Sequence, residues 1–104
     1  MTRVAITGAS GHVGANLVRI LIERGYDVCA VVNRDTRGVD GLPCRQAHAS
    51  VLDYASLCEA FKGAEYVFHL AAIITLKRDR SGVAWRTNVE GAKNVVEACI
   101  ACGV

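Results

Sequence analysis

The sequence predicts an α/β fold in which a parallel sheet of about four strands is flanked by helices. Short runs rich in β-branched residues alternate with segments whose apolar residues recur at helical spacing. Glycines stand where several of these segments end, as turns between elements require. The resulting order of strand, helix, strand, strand, helix, strand, helix favours right-handed crossovers, which place the strands parallel in one sheet.

The first strand and the first helix lie on either side of a glycine-rich segment. Residues 3–7, RVAIT, are rich in β-branched residues and predict a buried strand. A helix is predicted from about residue 12 to residue 24, and Gly25 can end it in a left-handed conformation. The apolar stripe expected to face the sheet comprises Val13, Leu17, Ile20 and Leu21.

The middle of the chain carries two further strands and a capped helix. DVCAVVN, residues 27–33, predicts the second strand, and a polar loop separates it from a short third strand within 44–49. Asp53 is a suitable N-cap for a helix over about 54–62, which Gly63 ends. Apolar residues of that helix recur at helical spacing, namely Tyr54, Leu57, Cys58 and Phe61.

The last two elements are a long apolar strand and a long helix. EYVFHLAAI, residues 65–73, is almost continuously apolar, which is typical of a parallel strand covered on both faces. A charged loop then leads to a helix from about residue 83 to residue 102. Its predicted buried stripe comprises Trp85, Val89, Ala92, Val96 and Cys99.

Length, composition and charge exclude several classes of function. A chain of 104 residues fits one small domain, so we expect residues 1–104 to form a single domain. The net charge of +2 comes without a block of basic residues, which argues against a nucleic-acid partner. The apolar runs fall short of the ~20 residues that span a membrane, and MTRVAITG lacks the features of a signal peptide. We therefore expect a cytoplasmic protein with no membrane partner.

Five cysteines raise the question of a metal or redox site. An odd number without a secretory signal favours reduced thiols that pack as small hydrophobic side chains. Cys99 and Cys102 form a C-x-x-C pair, but the histidines offer no second pair of ligands at zinc-site spacing. The pair also closes a predicted helix, whereas a redox-active pair normally opens one. We favour packing over metal or redox chemistry for the cysteines.

The segment TGASGHVG, residues 7–14, carries the strongest signal for a ligand. Gly8, Gly11 and Gly14 stand between the first strand and the first helix at G-x-x-G-x-x-G spacing. The first glycine permits a tight turn, and the others let backbone and helix approach closely because no Cβ intervenes. The free N–H groups at the start of the helix would then face a pyrophosphate. The segment therefore predicts a dinucleotide-binding turn.

Three segments of the chain together resemble one known family. TGASGHVG resembles the T-G-x-x-G-x-x-G fingerprint of the extended short-chain dehydrogenase/reductases, which include NAD(P)-dependent epimerases, dehydratases and reductases. LDYASLCEAFKGAEYVFHLAA and WRTNVEGAKNVVEACIACGV resemble the family's segments around the fourth strand and the following helix. The resemblance covers residues 3–104 and implies the N-terminal part of a Rossmann-like fold, truncated before the fifth strand.

The resemblance also assigns cofactor-binding roles to particular residues. The three glycines would form the phosphate turn, with side-chain or backbone contacts from Ser10, His12 and Val13. Ala71 and Ala72 match residues that wall the adenosine ribose and the middle of the cofactor. Asn88 resembles an asparagine that braces the sheet, although a plain amide on the helix surface is the alternative. Where the family commonly has an adenine-binding aspartate, this chain has Ser50, whose hydroxyl is a weaker acceptor than a carboxylate. Val51, the next residue, is also predicted to bind the cofactor.

The residues after the second strand bear on the choice between NAD and NADP. NAD selection normally needs a carboxylate at the end of that strand, and Val32 occupies the corresponding position. Asn33, Arg34 and Arg37 follow, and arginines accommodate a 2′-phosphate, so NADP is favoured over NAD. Asp35 can still turn towards the ribose, and the alternative for both arginines is a solvated loop.

The resemblance implies chemistry for which this sequence lacks the residues. The family uses a tyrosine with a lysine four residues later, and none of the three tyrosines of this sequence has a lysine at that distance. No fifth strand supplies the serine or threonine that polarises the substrate oxygen. We therefore expect the NAD(P)-binding half of such an enzyme, inactive alone and without catalytic or metal-binding residues.

The predicted strand order also bears on partners. In the usual 3-2-1-4 order the strand over 65–73 lies at an edge of the sheet, although its composition suits burial. Such an edge pairs readily with another chain, so we expect a homodimer or larger assembly. Two alternatives to an enzyme half are a stand-alone nucleotide-sensing module and a dimerisation scaffold that binds no nucleotide.

Overall fold

The computed structural model describes residues 1–75 and 77–104 and contains one four-stranded parallel sheet. Its strands are β1 (Arg3–Thr7), β2 (Asp27–Val32), β3 (Arg45–His48) and β4 (Tyr66–His69). Their order is β3-β2-β1-β4, so that β1 pairs with β2 on one side and with β4 on the other. The α/β class and the strand order expected from the sequence are confirmed.

Helices follow β1, β3 and β4 along the chain. They are α1 (His12–Glu23), α2 (Tyr54–Phe61), α3 (Val83–Trp85), a π-helical turn (Arg86–Glu90) and α4 (Gly91–Cys102). Asp53 caps α2 as predicted, because its carboxylate accepts a hydrogen bond from the Ser56 backbone N–H at 3.3 Å. Gly25 and Gly63 follow α1 and α2 with φ of +87° and +79°, the left-handed conformation in which glycine ends a helix.

The sheet separates two hydrophobic cores, because successive strand residues point to opposite faces. On one face Val4 and Ile6 pack with Val18 of α1. On the other face Ala5 packs with Phe61 of α2 and with residues of α4. Four of the cysteines belong to this second core as free thiols, namely Cys29, Cys58, Cys99 and Cys102. Their positions agree with the packing role expected from the sequence.

β4 ends at His69, four residues earlier than predicted. The reason lies in β1, which ends at Thr7 because Gly8 turns the chain with a φ of +67°. Beyond Thr7, β1 has no further backbone groups with which β4 could pair. The N–H groups of Leu70 and Ala71 instead donate to the Thr7 hydroxyl at 3.0 and 3.2 Å. The apolar residues after β4 therefore form an irregular wall instead of more strand.

β4 lies at an edge of the sheet, as expected from the strand order. Tyr66 and Phe68, on the same side of the strand, are 62% and 38% exposed. They line a groove of about 300 Å³ together with residues of β1, α1 and the turn before β2. The sheet thus presents an apolar edge within the described residues.

The buried stripe predicted for the last helix is wrong in part, because only Ala92 and Cys99 of its five residues are even partly buried. Trp85, Val89 and Val96 are about half exposed, and the buried residues are Ala84, Gly91, Val95 and Ala98. Two causes account for the shift. The π-helical turn contains more residues per turn than an α-helix, so a pattern counted at 3.6 residues loses its phase there. Small residues also face inwards where α4 approaches the rest of the fold closely.

The stripe predicted for α1 is wrong in part for a similar reason. Leu21 is buried as expected, but Val13 and Ile20 are exposed. Gly14 and Ala15 are buried in their place. A Cβ on Gly14 would collide with the Gly8 carbonyl oxygen, so this side of α1 packs against the glycine turn. Among the described residues, no helix is both long and apolar enough to cross a membrane.

Candidate functional site

A cavity of about 690 Å³ opens at the carboxyl ends of the parallel strands. Its walls come from the segments that follow β1, β2, β3 and β4, with a contribution from α3 and the π-helical turn. In open α/β sheets, ligands bind outside this edge where the strand order reverses, and here β2 and β4 lie on opposite sides of β1. The volume falls within the usual range of small-molecule sites.

The glycine turn forms the floor of this cavity. Gly8 has a left-handed backbone, and a Cβ there would lie 2.7 Å from the Ala71 nitrogen. Gly11 also lines the cavity, and a Cβ on it would meet the Gly8 carbonyl oxygen at 3.3 Å. The absence of side chains therefore lets backbone pack against backbone at this turn, and the floor of the cavity here consists of main-chain atoms.

The N-terminus of α1 follows directly on this floor. Its first intrahelical hydrogen bond runs from the Ala15 N–H to the Gly11 carbonyl at 2.9 Å, so the N–H groups of residues 12–14 precede the hydrogen-bonded ladder. The first turn contains no acidic residue. The positive end of the helix dipole is therefore not neutralised by the helix itself, which favours an anion beside the turn.

Thr7 joins the floor of the cavity to the wall after β4. Its side chain is almost fully buried, and its hydroxyl oxygen accepts from the N–H groups of Leu70 and Ala71. The same hydroxyl lies 2.7 Å from Nδ1 of His69. Because two amides already use the oxygen as acceptor, the hydroxyl proton points to Nδ1, and His69 is neutral with its proton on Nε2. Burial also lowers the pKa of His69, which favours this neutral form.

Two amide side chains from the segment NVEGAKN hold opposite walls. The Asn88 amide group makes two hydrogen bonds of 2.8 Å, accepting from the Ile73 N–H and donating to the Ile73 carbonyl. Asn94 donates to the Val51 carbonyl at 2.9 Å. A Cβ on Gly91 would lie 2.6 Å from a methyl of Val51, so the helix touches this wall closely. Asn88 thus braces the segment after β4 through Ile73 and is more than a surface amide.

The cofactor-binding residues predicted from the sequence fall into two groups. Nine of them line the cavity: Gly8, Ser10, Gly11, Asn33, Arg34, Ser50, Val51, Ala71 and Ala72. Five do not, namely His12, Val13, Gly14, Arg37 and Asn88. His12 and Val13 are exposed at the start of α1, and Gly14 packs beneath the turn. The structure therefore brings most of the predicted set together around one space.

The corner after β2 contains both signs of charge. Arg34 and Asp35 line the cavity, whereas Arg37 lies outside it and donates to both carboxylate oxygens of Asp35 at 3.0 Å. This pairing lowers the pKa of Asp35 to about 2, chiefly through the hydrogen bonds from Arg37. On the opposite side, the Ser50 hydroxyl accepts from the Leu52 N–H at 3.2 Å and lines the cavity.

Several residues around the cavity were not predicted as site residues. Thr7 immediately precedes the glycine motif, and its position at the end of a predicted strand was an available signal. Thr87 and Val83 also line the cavity. Thr87 lies in the π-helical turn, and no regular spacing in the sequence reveals such a turn.

The cysteines form no comparable site among residues 1–75 and 77–104. No group of three or more histidine, cysteine or acidic side chains there could hold a metal ion. Cys102 donates to the Cys58 carbonyl at 3.4 Å, and Cys99 packs against the core beneath α4. The C-x-x-C pair thus contributes contacts between α2 and α4.

Comparison with known proteins gives the family. The sequence profile of the NAD dependent epimerase/dehydratase family matches residues 4–104. The chain belongs to this family. Sterol demethylase protein B of Methylococcus capsulatus is 35% identical over 101 residues, or 95% of this chain. A 3-beta-hydroxysteroid dehydrogenase of Mycolicibacterium neoaurum is 35% identical over 116 residues, or 98% of this chain.

Solved structures of the epimerase/dehydratase family share the fold. UDP-glucose 4-epimerase of Thermus thermophilus, solved in complex with NAD, superposes with a TM-score of 0.86 at 26% identity over 99% of this chain. The match covers 35% of that epimerase, and the matches above cover 31% and 30% of the two enzymes. This member of the family therefore spans about a third of the length of these relatives. The predicted family and Rossmann-like fold are confirmed.

Proposed function

We propose that this chain binds NAD(P) through the adenosine diphosphate portion of the dinucleotide. The observation that carries the proposal is the glycine floor, where Gly8 and Gly11 line the cavity with main-chain atoms beside the N-terminus of α1. A diphosphate fits this place because it is anionic, needs several N–H donors and cannot approach past a Cβ. Membership of the family and the NAD complex of the Thermus epimerase support the same cofactor class.

The remaining walls fit the other parts of that ligand. Ser50 and Val51 stand where an adenine would lie, with Val51 held by Asn94. Ala71 and Ala72 offer an apolar wall for the middle of the dinucleotide, and Thr7 holds the Ala71 backbone. Bound NAD(P) would supply hydride chemistry, whereas these residues bind and orient it.

NADP is the preferred cofactor in this proposal. Val32 offers no carboxylate to a ribose 2′-hydroxyl, and Arg34 lines the cavity two residues further along the chain. A guanidinium next to the ribose site favours a 2′-phosphate because it can donate two parallel hydrogen bonds. Arg37 supports this preference less directly, since it lies outside the cavity and pairs with the Asp35 carboxylate.

We further propose that the 104-residue chain binds without catalysing a reaction. It has no tyrosine followed by lysine four residues later, and that pair supplies acid–base chemistry in the resembling family. Residues 1–104 then act as one binding unit. A cytoplasmic location is part of the proposal, supported by five free cysteines.

Self-association through β4 is the proposal for a protein partner. The exposed side chains of Tyr66 and Phe68 lie on an edge strand, which is a template for pairing. Light scattering at tens of micromolar should show a homodimer or larger assembly. A monomer under those conditions contradicts the proposal.

Calorimetry with NADP, NAD and 2′,5′-ADP tests the cofactor proposal. We expect 2′,5′-ADP and NADP to bind comparably and NAD to bind more weakly. Gly8→Ala should abolish this heat, because the new Cβ collides with the Ala71 backbone. Gly25→Ala is the matched control, since Gly25 has a similar positive φ but open space around its Cβ position.

Gly11→Ala provides a variant that keeps ordinary backbone geometry. Gly11 has a φ of −74°, so alanine fits its backbone, while its Cβ would lie 3.3 Å from the Gly8 carbonyl oxygen and press on the turn that lines the cavity. We expect binding of 2′,5′-ADP to weaken by about tenfold, as loss of one hydrogen bond to a charged group implies. The absence of heat with all three nucleotides in the folded wild type contradicts the proposed function and favours a scaffold.

A further inference from the structure

Three cysteine side chains meet where α2 packs against α4. Cys58 lies on α2, whereas Cys99 and Cys102 lie in the last turn of α4. All three are free thiols, are partly buried and pack against the second core. None of them lines the cavity of the proposed nucleotide site. The fold thus gathers oxidisable groups at a place that the proposed function does not use.

Cys58 and Cys102 are in direct contact across the two helices. The Cys102 Sγ donates to the Cys58 carbonyl oxygen at 3.4 Å, and the Cys58 side chain forms a hydrogen bond with the Cys102 thiol. The contact joins residues 44 positions apart in the sequence. A disulfide bond of about 2.05 Å requires the two sulfur atoms to approach further, and rotation about the Cα–Cβ bonds supplies this approach.

Helix geometry argues against a bond within the C-x-x-C pair. Residues three apart on an α-helix have Cβ atoms about 5–6 Å apart, whereas a disulfide needs about 3.5–4.5 Å. A bond between Cys99 and Cys102 would therefore unwind the last turn of α4. Of the other cysteines, Cys29 is buried in the sheet and Cys44 packs against the core on the opposite face. The pair that the fold presents for a disulfide is thus Cys58 with Cys102.

The surroundings of the pair contain both signs of charge. The Lys62 ammonium lies close enough to interact with both thiols, and it also pairs with the Glu59 carboxylate at 2.9 Å. The Tyr54 hydroxyl forms a hydrogen bond with the Cys58 thiol. Burial raises the pKa of Cys102, and Lys62 opposes this effect because a nearby cation stabilises a thiolate. Lys62 therefore favours reaction at a thiol that burial alone would make less reactive.

We propose that Cys58 and Cys102 form a redox-responsive pair, which a hydroperoxide converts to a disulfide between α2 and α4. One thiolate attacks the peroxide and becomes a sulfenic acid with release of water, and the other thiol then displaces water from that sulfur. Two thiols and one hydrogen peroxide give one disulfide and two molecules of water, so two electrons pass from sulfur to oxygen. A thiol reductant reverses the reaction. The inference is independent of the nucleotide site.

Mass spectrometry of the oxidised protein tests the assignment. The reduced protein is treated with hydrogen peroxide, its remaining thiols are blocked with N-ethylmaleimide in urea, and it is digested with trypsin without reductant. Trypsin leaves Cys99 and Cys102 in one peptide, so fragmentation of the linked peptides locates the bond. We expect Cys58 joined to Cys102, with Cys99 alkylated. Thermal unfolding should occur about 10 °C higher than in the reduced protein, because the bond closes a long loop of the unfolded chain. Dithiothreitol should remove this increase.

Cys58→Ser and Cys99→Ser are matched variants, since each replaces one thiol of the cluster. Cys58→Ser should lose the linked peptides and the rise in melting temperature, whereas Cys99→Ser should retain both. The proposal is overturned if the bond maps to Cys99, if the oxidised chains are linked to one another instead, or if the thiols stay unmodified or gain only oxygen atoms. Mapping of the wild-type protein decides the question even where a variant is less stable.

Discussion

Thr7 links the floor of the cavity to the wall after β4 through its hydroxyl group. Thr7→Val keeps the shape of the side chain but removes the hydroxyl that accepts from Leu70 and Ala71. The Leu70 N–H keeps the Thr7 carbonyl as a partner at 3.3 Å, but the part-buried Ala71 N–H loses the hydroxyl oxygen. One lost hydrogen bond of this kind costs about 1 kcal/mol, so we expect the free energy of unfolding in urea to fall by about that amount. Binding of 2′,5′-ADP should weaken as the wall loosens.

Thr36→Val is the comparison variant for this experiment. The Thr36 hydroxyl donates to Asp40 at the surface, where water can replace the lost partner. Its effect on the free energy of unfolding should be much smaller. Equal losses of stability in the two variants would contradict the role assigned to Thr7.

His69 makes the stability of this region depend on pH. Burial lowers its pKa below the ordinary value of 6.5, so the folded protein binds this proton less readily than the unfolded chain does. The stability that neutral His69 contributes is therefore complete above 6.5 and is lost as the pH falls through the lower folded-state pKa. Protonation also places an N–H opposite the Thr7 hydroxyl proton, which breaks their hydrogen bond.

Urea unfolding at neutral and at mildly acidic pH measures this effect. We expect wild-type stability to fall on acidification more steeply than that of His69→Gln, which has no titrating group at this position. Parallel pH profiles of the two proteins would show that His69 contributes nothing to the pH dependence.

At single positions, the sequence predicts contacts that depend on local chemistry. The Asp53 cap and the glycine turn follow from residue type and spacing alone, and both are present. The hydrogen bonds of Thr7 and Asn88 join segments more than ten residues apart, so no local pattern encodes them. Arg37 and Asp35 are close in sequence and pair with each other. The sequence does not reveal, however, that Asp35 lines the cavity and that Arg37 lies outside it.

At the level of elements, the predicted strands and helices exist, but the buried faces of two helices were misplaced. Apolar periodicity assumes that large side chains mark the buried face. In α1 and α4 glycine and alanine lie inside instead, because these helices approach backbone and the wall residue Val51 closely. Close approach of elements is a property of the assembled fold, and a hydrophobicity pattern does not report it.

The contact between α4 and Val51 is testable with a pair of substitutions. Gly91→Ala improves helix propensity, but its Cβ would lie 2.6 Å from a Val51 methyl and push that wall of the cavity inwards, where we propose that the adenine binds. We expect severalfold weaker binding of 2′,5′-ADP by calorimetry. Val51→Ala in the same chain makes room for the Cβ and should restore part of the affinity, because contacting residues are coupled. Additive effects of the two changes would contradict a direct contact.

At the scale of the whole molecule, topology accounts for the site. Parallel strands end at one edge of the sheet, and the reversal of strand order at β1 opens a space that a Rossmann-like fold presents to ligands. The alternation of strands and helices in the sequence predicts a parallel sheet, and a parallel sheet has one edge at which the carboxyl ends of all its strands meet. The identity of a substrate was not predictable, since the chain spans about a third of the length of its relatives.

Backbone amide NMR of the 104-residue chain during titration with 2′,5′-ADP locates the nucleotide on the fold. We expect shifts that saturate together at residues 8–14, 33–35, 50–51 and 70–72, with little change at Tyr66 and Phe68. Unchanged spectra at saturating nucleotide, or shifts confined to the groove beside β4, would contradict a nucleotide site on the glycine turn.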